Sequence, residues 1–344
     1  MKVLVTGGGG FIGRAIVERL LERGDSVRSF SRGCYASLAA RGVEVHQGDL
    51  ADGDAVVAAA EGCELIFHVA ARAGIWGRYA DYYLTNVVGT ENVLNACRRW
   101  GISRLVYTSS PSVVFNGSDM EGVNEATPYP ERYEAAYPET KALAEKLVLT
   151  ANCATLATVA LRPHLVWGPG DTNLIPRILE RGKNGQLRCV GRTPKLVDST
   201  YIDNGADAHL LAADRLLPGS PICGKAYFIG QNEPMPLWEL INRILEAGAL
   251  PPVTKTISPG LAYLTGWIME LFYGGLRIKA EPPMTRFLAR ELSTTHWFDL
   301  SAARRDLDYE PKIDIAEGLR RLKSRLSAEP ARPQTHGGAL VDSN

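Results

Sequence analysis

Nowhere in this sequence do cysteines fall at the spacing of a metal site or a disulfide framework. The six that occur, Cys34, Cys63, Cys97, Cys153, Cys189 and Cys223, are scattered, with no Cys-x-x-Cys. The six histidines are equally dispersed, and no His-Glu-x-x-His appears. This pattern argues against a metal enzyme and against a stapled secreted fold, so no metal is expected, and reduced thiols in a cytoplasm are. Charge of one sign is missing too. Thirty-eight Lys and Arg meet thirty-eight Asp and Glu, so no overall field favours nucleic acid as a partner. The opening "MKVLVTGGGG" breaks into glycines before an apolar core of signal-peptide length can form. There is no internal repeat and no low-complexity tract beyond those glycines.

What is present is an ordinary globular balance: 344 residues, 45% hydrophobic and 22% charged, enough for a well-buried core. Short β-rich runs alternate with helical patterns. "KVLVT", "SVRSF", "VEVHQ", "LIFHVA", "RLVYTS" and "ATVALR" read as strands. Between them, "FIGRAIVERLLERG" places Ile12, Ile16, Leu20 and Leu21 at helical spacing and stops at Gly24. "DAVVAAAEG" and "YADYYLTNVVGTENVLNACRRWG" supply further helices. Alternation of this kind builds parallel βαβ units, hence an α/β fold with a Rossmann-type doubly wound parallel sheet. Its ligands bind beyond the carboxyl ends of the strands. The expected organisation is a dinucleotide-binding domain over 1–170, with returns near 196–212 and 224–230. A smaller, mostly helical substrate lobe follows over 171–325, and then a tail without order over 326–344.

"TGGGGFIG" follows the first strand and opens the first helix. Gly7 permits the tight turn, Gly10 lets backbone approach a pyrophosphate, and Gly13 allows close helix–strand packing. Phe11 and Ile12 begin the helix whose N-terminus faces the phosphates. The second strand ends in Ser31–Arg32. No carboxylate is there to repel a 2′-phosphate, and a guanidinium can pair with one. NADP(H) is therefore the expected cofactor, with NAD(H) possible in its place.

Tyr137 and Lys141 are four positions apart in "AAYPETKALAEKLVL". Tyr-x-x-x-Lys is short and means little alone. Pro138 suits the first turn of a helix, so the helix is expected to start there, and residues four apart then share one face. A free tyrosine titrates near ~10, and a nearby ammonium lowers that value and eases proton transfer.

The ordered set "TGGGGFIG", "GDL", "HVAA", "NVVGTENVLNAC", "YTSS", "YPETK" and "LRPHLVWGPGD" resembles the extended short-chain dehydrogenases/reductases. "STYIDNGADAH" and "TRFLARELSTTHWFDLSAARRDLDYEP" resemble their 3β-hydroxysteroid dehydrogenase-like branch. The likeness runs from residue 1 to about 325. It implies an NAD(P)-dependent oxidoreductase of lipid metabolism, with Tyr137 as acid/base and Lys141 as its partner. Ser110 would hold the substrate oxygen, although Ser109 and Ser112 stand close by. "SSPSVVFNG" departs from the family pattern at Pro111 and by one residue before Gly117, which blurs that register. The resemblance also puts Asp49 and Leu50 near adenine, although Asp49 serves equally well as a turn cap. Ala70 and Ala71 fall beside the ribose and pyrophosphate, and Pro163 and Val166 beside the nicotinamide amide. Asn86 orders backbone. Trp76, His296 and Trp297 are pocket candidates, with plain packing the simpler reading of each.

The implied substrate is a hydrophobic small-molecule acid. It is either a 2-alkyl-3-oxo acid undergoing reduction or a sterol with a carboxylate beside its hydroxyl-bearing carbon. A non-catalytic dinucleotide sensor would have shed Tyr137 or Lys141. A nucleotide-sugar epimerase would share the glycine loop, but "GLAYLTGWIMELFYGGL" is greasy for a sugar diphosphate. Residues 256 to 276 are expected to form an amphipathic cover over the substrate site, within a cytoplasmic homodimer. That cover would allow peripheral contact with the inner membrane or with a pathway enzyme.

Overall fold

The structure, a computed structural model, describes residues 1–328. Seven strands make its central sheet: β1 (Lys2–Thr6), β2 (Ser26–Ser31), β3 (Glu44–Gln47), β4 (Leu65–His68), β5 (Arg104–Thr108), β6 (Ala157–Pro163) and β7 (Lys225–Ile229). All neighbours pair in parallel, in the order β7-β6-β5-β4-β1-β2-β3. A parallel sheet is covered on both faces, so its strands are apolar without alternation. Val3, Leu4 and Val5 are accordingly all fully buried. The chain leaves β1 for β2 and β3 on one side and returns to β4 on the other. A crevice opens where that direction reverses.

The first helix, α1 (Phe11–Glu22), lays Ile16, Val17 and Leu20 on the sheet. Each such side chain contributes about 1.5–3 kcal/mol by leaving water. Gly24, at φ +82°, supplies the left-handed turn that sends the chain back to β2. On the other face, α2 (Gly53–Ala60) packs on α3 (Gly89–Trp100). The helix read as one long element ahead of α3 begins at Tyr79 but widens to π geometry over Leu84–Val88. The helix that carries Tyr137 and Lys141, α4 (Ala136–Thr150), starts two residues before Pro138, because Ala135 takes the extended N-cap conformation and Pro138 fits the first turn.

Beyond β6 the chain builds the outer part from α5 (Leu174–Lys183), α6 (Ile202–Arg215), α7 (Leu237–Ala247), α8 (Pro259–Gly275), α9 (Arg286–Glu291) and further short helices. Of these, α6 lies back on α1. A small four-stranded sheet ties distant stretches together, in the order Met235–Pro236, Leu196–Val197, His296–Phe298, Met120–Val123. The last described helix spans Ile315–Ala328. The rest of the expected tail, 329–344, lies outside the described residues.

Candidate active site

A cleft of about 610 Å³ opens at the switch point, and its walls include all the residues singled out for cofactor and catalysis. The glycine loop has no room for side chains. A Cβ on Gly13 would lie 2.1 Å from the Gly7 carbonyl oxygen, and one on Gly7, which has φ +70°, would lie 2.9 Å from Ala70 Cα. Ala70 is held there because Thr6 Oγ1 accepts from the backbone N–H groups of Val69 and Ala70, at 3.1 and 3.2 Å. Gly10 is the N-cap of α1 and offers no capping side chain, and the first turn carries no acid. The free N–H groups and the positive end of the helix dipole therefore face the cleft, where Phe11 and Ile12 also stand.

At the far end of the cleft the Ser31 hydroxyl is buried without a hydrogen-bond partner. Arg32 is exposed on the rim, and no carboxylate among the described residues pairs with its guanidinium. Asp49 lines this end together with Leu50 and also accepts from the Ala51 N–H at 2.9 Å, so it caps a turn as well. Shape, orphan hydroxyl, free cation and helix N-terminus together fit a dinucleotide.

At the other end Tyr137, Lys141, Ser109, Ser110, Pro163 and Val166 converge. Ser110 is the more open of the adjacent serines, Ser109 being buried. Ser112 lies outside the cleft wall and braces Ser110, with the two hydroxyls 2.9 Å apart. Burial pushes the Tyr137 hydroxyl above its ordinary pKa. The Ser110 hydroxyl partly offsets this, and Glu291 adds to it. The expected lysine effect on the tyrosine is therefore corrected. Among the described residues no hydrogen bond joins Lys141 to Tyr137. The Lys141 ammonium donates instead to the Thr108 carbonyl at 2.6 Å and sits 4.1 Å from the centre of the Tyr107 ring. Burial brings its pKa down to about 7, opposed by Glu145.

Glu145 and Arg162 form a buried bidentate pair under this floor. Nε and one terminal nitrogen of the arginine reach the two carboxylate oxygens at 3.0 and 2.6 Å, and Tyr129 donates to the same carboxylate at 2.6 Å. Asn86, in the π segment, accepts from the Arg72 N–H and donates to the Arg72 carbonyl and to Thr140, which orders backbone beside α4.

A second, apolar cavity of about 280 Å³ opens off the cleft, and Leu165, Asn173 and Leu174 line both. Leucine, isoleucine and tryptophan side chains of α5, α7 and α9 form its walls. Leu165 has φ +41°, an uncommon conformation for leucine, at the point where the two spaces meet. Glu291, the last residue of α9, points into the apolar cavity. Burial raises its carboxyl to about pKa 7. His296 lines this cavity, whereas Trp297 packs over Gly122 and Trp76 belongs to a separate pocket beside α8, with its indole N–H on the Ile278 carbonyl at 3.2 Å. Tyr35, Thr85, Leu165, Asn173 and Glu291 were not legible as site residues. Thr85 follows from the π segment, and only Asn173, next to the "GPGD" turn, carried a local signal.

Residues 4–255 match the model of the 3-beta hydroxysteroid dehydrogenase/isomerase family. A protein of Stenotrophomonas maltophilia named 2-alkyl-3-oxoalkanoate reductase is 52% identical over 95% of this chain and 100% of its own length. One of the same name from Shewanella oneidensis is 49% identical over 94% of this chain and 85% of its own. A 3 beta-hydroxysteroid dehydrogenase/Delta 5-->4-isomerase of Mycobacterium tuberculosis is 38% identical over 92% and 88%. Among solved structures, that of gox2253 superposes with a TM-score of 0.76 at 26% identity, covering 94% of this chain and 97% of its own. That of MoeE5 in complex with UDP-glucose and NAD gives 0.74 at 25%, covering 95% and 99%.

Proposed function

This chain belongs to the 3-beta hydroxysteroid dehydrogenase/isomerase family, and from that premise we propose that it reduces a 2-alkyl-3-oxo acid to the 2-alkyl-3-hydroxy acid with NADPH. The observation that carries this reading is the apolar cavity opening off the Tyr137–Lys141 cleft at Leu165 and Leu174. A branched acid can put its ketone by the tyrosine and an alkyl arm in the cavity. The names of the two relatives near 50% identity support the same substrate class. A dinucleotide held by the Gly7–Gly13 loop, Ser31 and Arg32 would supply the hydride that reduces carbon 3. Tyr137 gives its proton to the developing alkoxide, and Ser110 donates a hydrogen bond to that oxygen. Lys141, anchored on the Thr108 carbonyl, keeps protons that would be free to bond the ribose hydroxyls of a dinucleotide. Glu291, whose carboxyl burial raises to about pKa 7, lines the cavity that takes the alkyl arm. NADP(H) is favoured over NAD(H) by the unpaired Arg32 and the orphan Ser31 hydroxyl.

A second reading, oxidation of a 3β-hydroxysteroid or a sterol carboxylate, is favoured by the relative at 38% identity for the first and by one named sterol-4-alpha-carboxylate 3-dehydrogenase, 32% identical, for the second. The sterol carboxylate and the 2-alkyl-3-hydroxyalkanoate are both 3-hydroxy acids branched at carbon 2. Free 3-oxo acids lose carbon dioxide easily, so the assay runs in reverse. It follows NADPH formation from a 2-alkyl-3-hydroxyalkanoate and, separately, from a 4-carboxysterol. Turnover of the alkanoate with NADP and its loss in Tyr137→Phe, with cofactor affinity retained, is the expected result. Turnover of the sterol alone selects the second reading. A Tyr137→Phe variant that keeps more than a small fraction of the rate removes the assigned acid/base.

A further inference from the structure

Helix α8 is amphipathic in the wrong direction for a core helix. Its inner face is built from small and polar groups. Ala262 is fully buried, a Cβ on Gly266 would lie 2.5 Å from the Thr285 backbone, and Glu270 accepts from the Arg286 N–H and side chain at 2.7 and 2.6 Å. The outer face carries the bulk. Leu261, Leu264, Ile268, Leu271 and Phe272 follow helical spacing and are each about half exposed, and Trp267 and Leu276 widen the stripe. These seven are half of the fourteen exposed large hydrophobic side chains among the described residues, gathered on one short stretch. The expectation that this segment covers the substrate site is corrected accordingly. The helix packs on α9, which lines the apolar cavity, and turns its own leucines to water.

Both ends of the stripe are flanked by cations. Arg277 and Lys279 follow the C-terminal end. At the N-terminal end the strand Thr256–Ile257 pairs in parallel with Cys189–Val190, which brings Lys255 and Arg192 to the start of α8. All four are exposed, and none is in an ion pair among the described residues. The carboxylates nearest Arg277 and Lys279 in sequence are already engaged, Glu270 by Arg286 and Glu281 by Arg177.

We infer that α8 is a docking helix that lies in the surface of an anionic lipid bilayer, with its leucines among the acyl chains and these cations on the head groups. A helix with bulky apolar residues on one face and cations at its margins has the chemistry of an interfacial helix. No described helix is long and apolar enough to cross a membrane, so the contact is peripheral. A second copy suits this face poorly. A two-fold axis through antiparallel α8 helices would set the Arg277–Lys279 end of one copy on the Lys255–Arg192 end of the other, like charge on like. The bilayer brings the enzyme to where strongly apolar substrates collect, with α9 between the lipid face and the cavity.

The test is flotation of the full chain with phosphatidylcholine vesicles, with and without a third of phosphatidylglycerol. Binding should need the anionic lipid and weaken in high salt. Leu264→Ser/Ile268→Ser/Leu271→Ser should lower it by at least about tenfold, while turnover of a short-chain soluble substrate stays at the wild-type rate. Arg277→Gln/Lys279→Gln/Lys255→Gln/Arg192→Gln should erase the preference for anionic vesicles. Wild-type protein that stays unbound to both vesicle types, or a triple-serine variant that floats as well as wild type, overturns the inference. So does an oligomer, seen by light scattering, that the serine variant disperses, since the face then belongs to a second copy. An acidic protein partner captured in place of anionic vesicles overturns it as well.

Discussion

Replacing Glu145 by glutamine should destabilise the protein more than replacing both partners of its ion pair. The Glu145 side chain is 0% exposed and that of Arg162 is 3%. Two hydrogen bonds join them, and Tyr129 supplies a third to the same carboxylate. In Glu145→Gln the guanidinium stays buried with no counter-charge, at a cost of about 3–5 kcal/mol. For a chain of this size that is a fall in Tm of roughly 6–10 °C, at about 2 °C per kcal/mol. The double variant Glu145→Leu/Arg162→Met removes both charges and leaves Tyr129 short of one hydrogen bond, worth about 1 kcal/mol. The cycle should therefore give a coupling energy of about 2 kcal/mol or more. Urea denaturation at pH 7 measures the four proteins of the cycle, wild type, Glu145→Leu, Arg162→Met and the double variant, together with Glu145→Gln. Arg162 holds the Glu145 carboxyl below its ordinary pKa. The pair's contribution is thus present above the ordinary carboxylate range and is lost as pH falls through the lowered value. This loss should vanish in the glutamine variant. Additive single-variant losses, with coupling below about 0.5 kcal/mol, refute the reasoning.

Arg32→Asp should move cofactor preference toward NAD, since it replaces a phosphate partner with a ribose-hydroxyl acceptor that repels phosphate. Relative kcat/KM with the two cofactors measures it, and a wild-type enzyme that already prefers NAD sinks the argument. Lys141→Met should abolish turnover and weaken cofactor binding yet raise the Tm of the free protein. A buried lysine at about pKa 7 binds its proton less tightly than the unfolded chain does, so stability rises with pH between about 7 and the ordinary lysine value. At pH 7 the burden is on the order of 3–5 kcal/mol. A lowered Tm, or an unchanged slope of stability against pH, contradicts it.

The parts of this protein legible in its sequence are those where spacing along the chain is the mechanism. Gly7, Gly10 and Gly13 report a tight turn between a strand and a helix, because added Cβ atoms at Gly7 and Gly13 would strike backbone. Tyr137 and Lys141 fall on one helix, and the apolar strand runs announce a parallel sheet covered on both faces. Other properties depend on what lies across the fold. Lys141 was read as the tyrosine's partner, but packing gives it the Thr108 carbonyl and the Tyr107 ring, 33 and 34 positions away in sequence. Glu291 looks like any surface glutamate in "LARELS" until α9 turns it into an apolar cavity. Hydrophobic periodicity identified α8 as amphipathic but could not say which face meets the protein. Period depends on the backbone alone, whereas burial depends on the neighbours, and for α8 those neighbours left room only for Ala262, Gly266 and a paired Glu270.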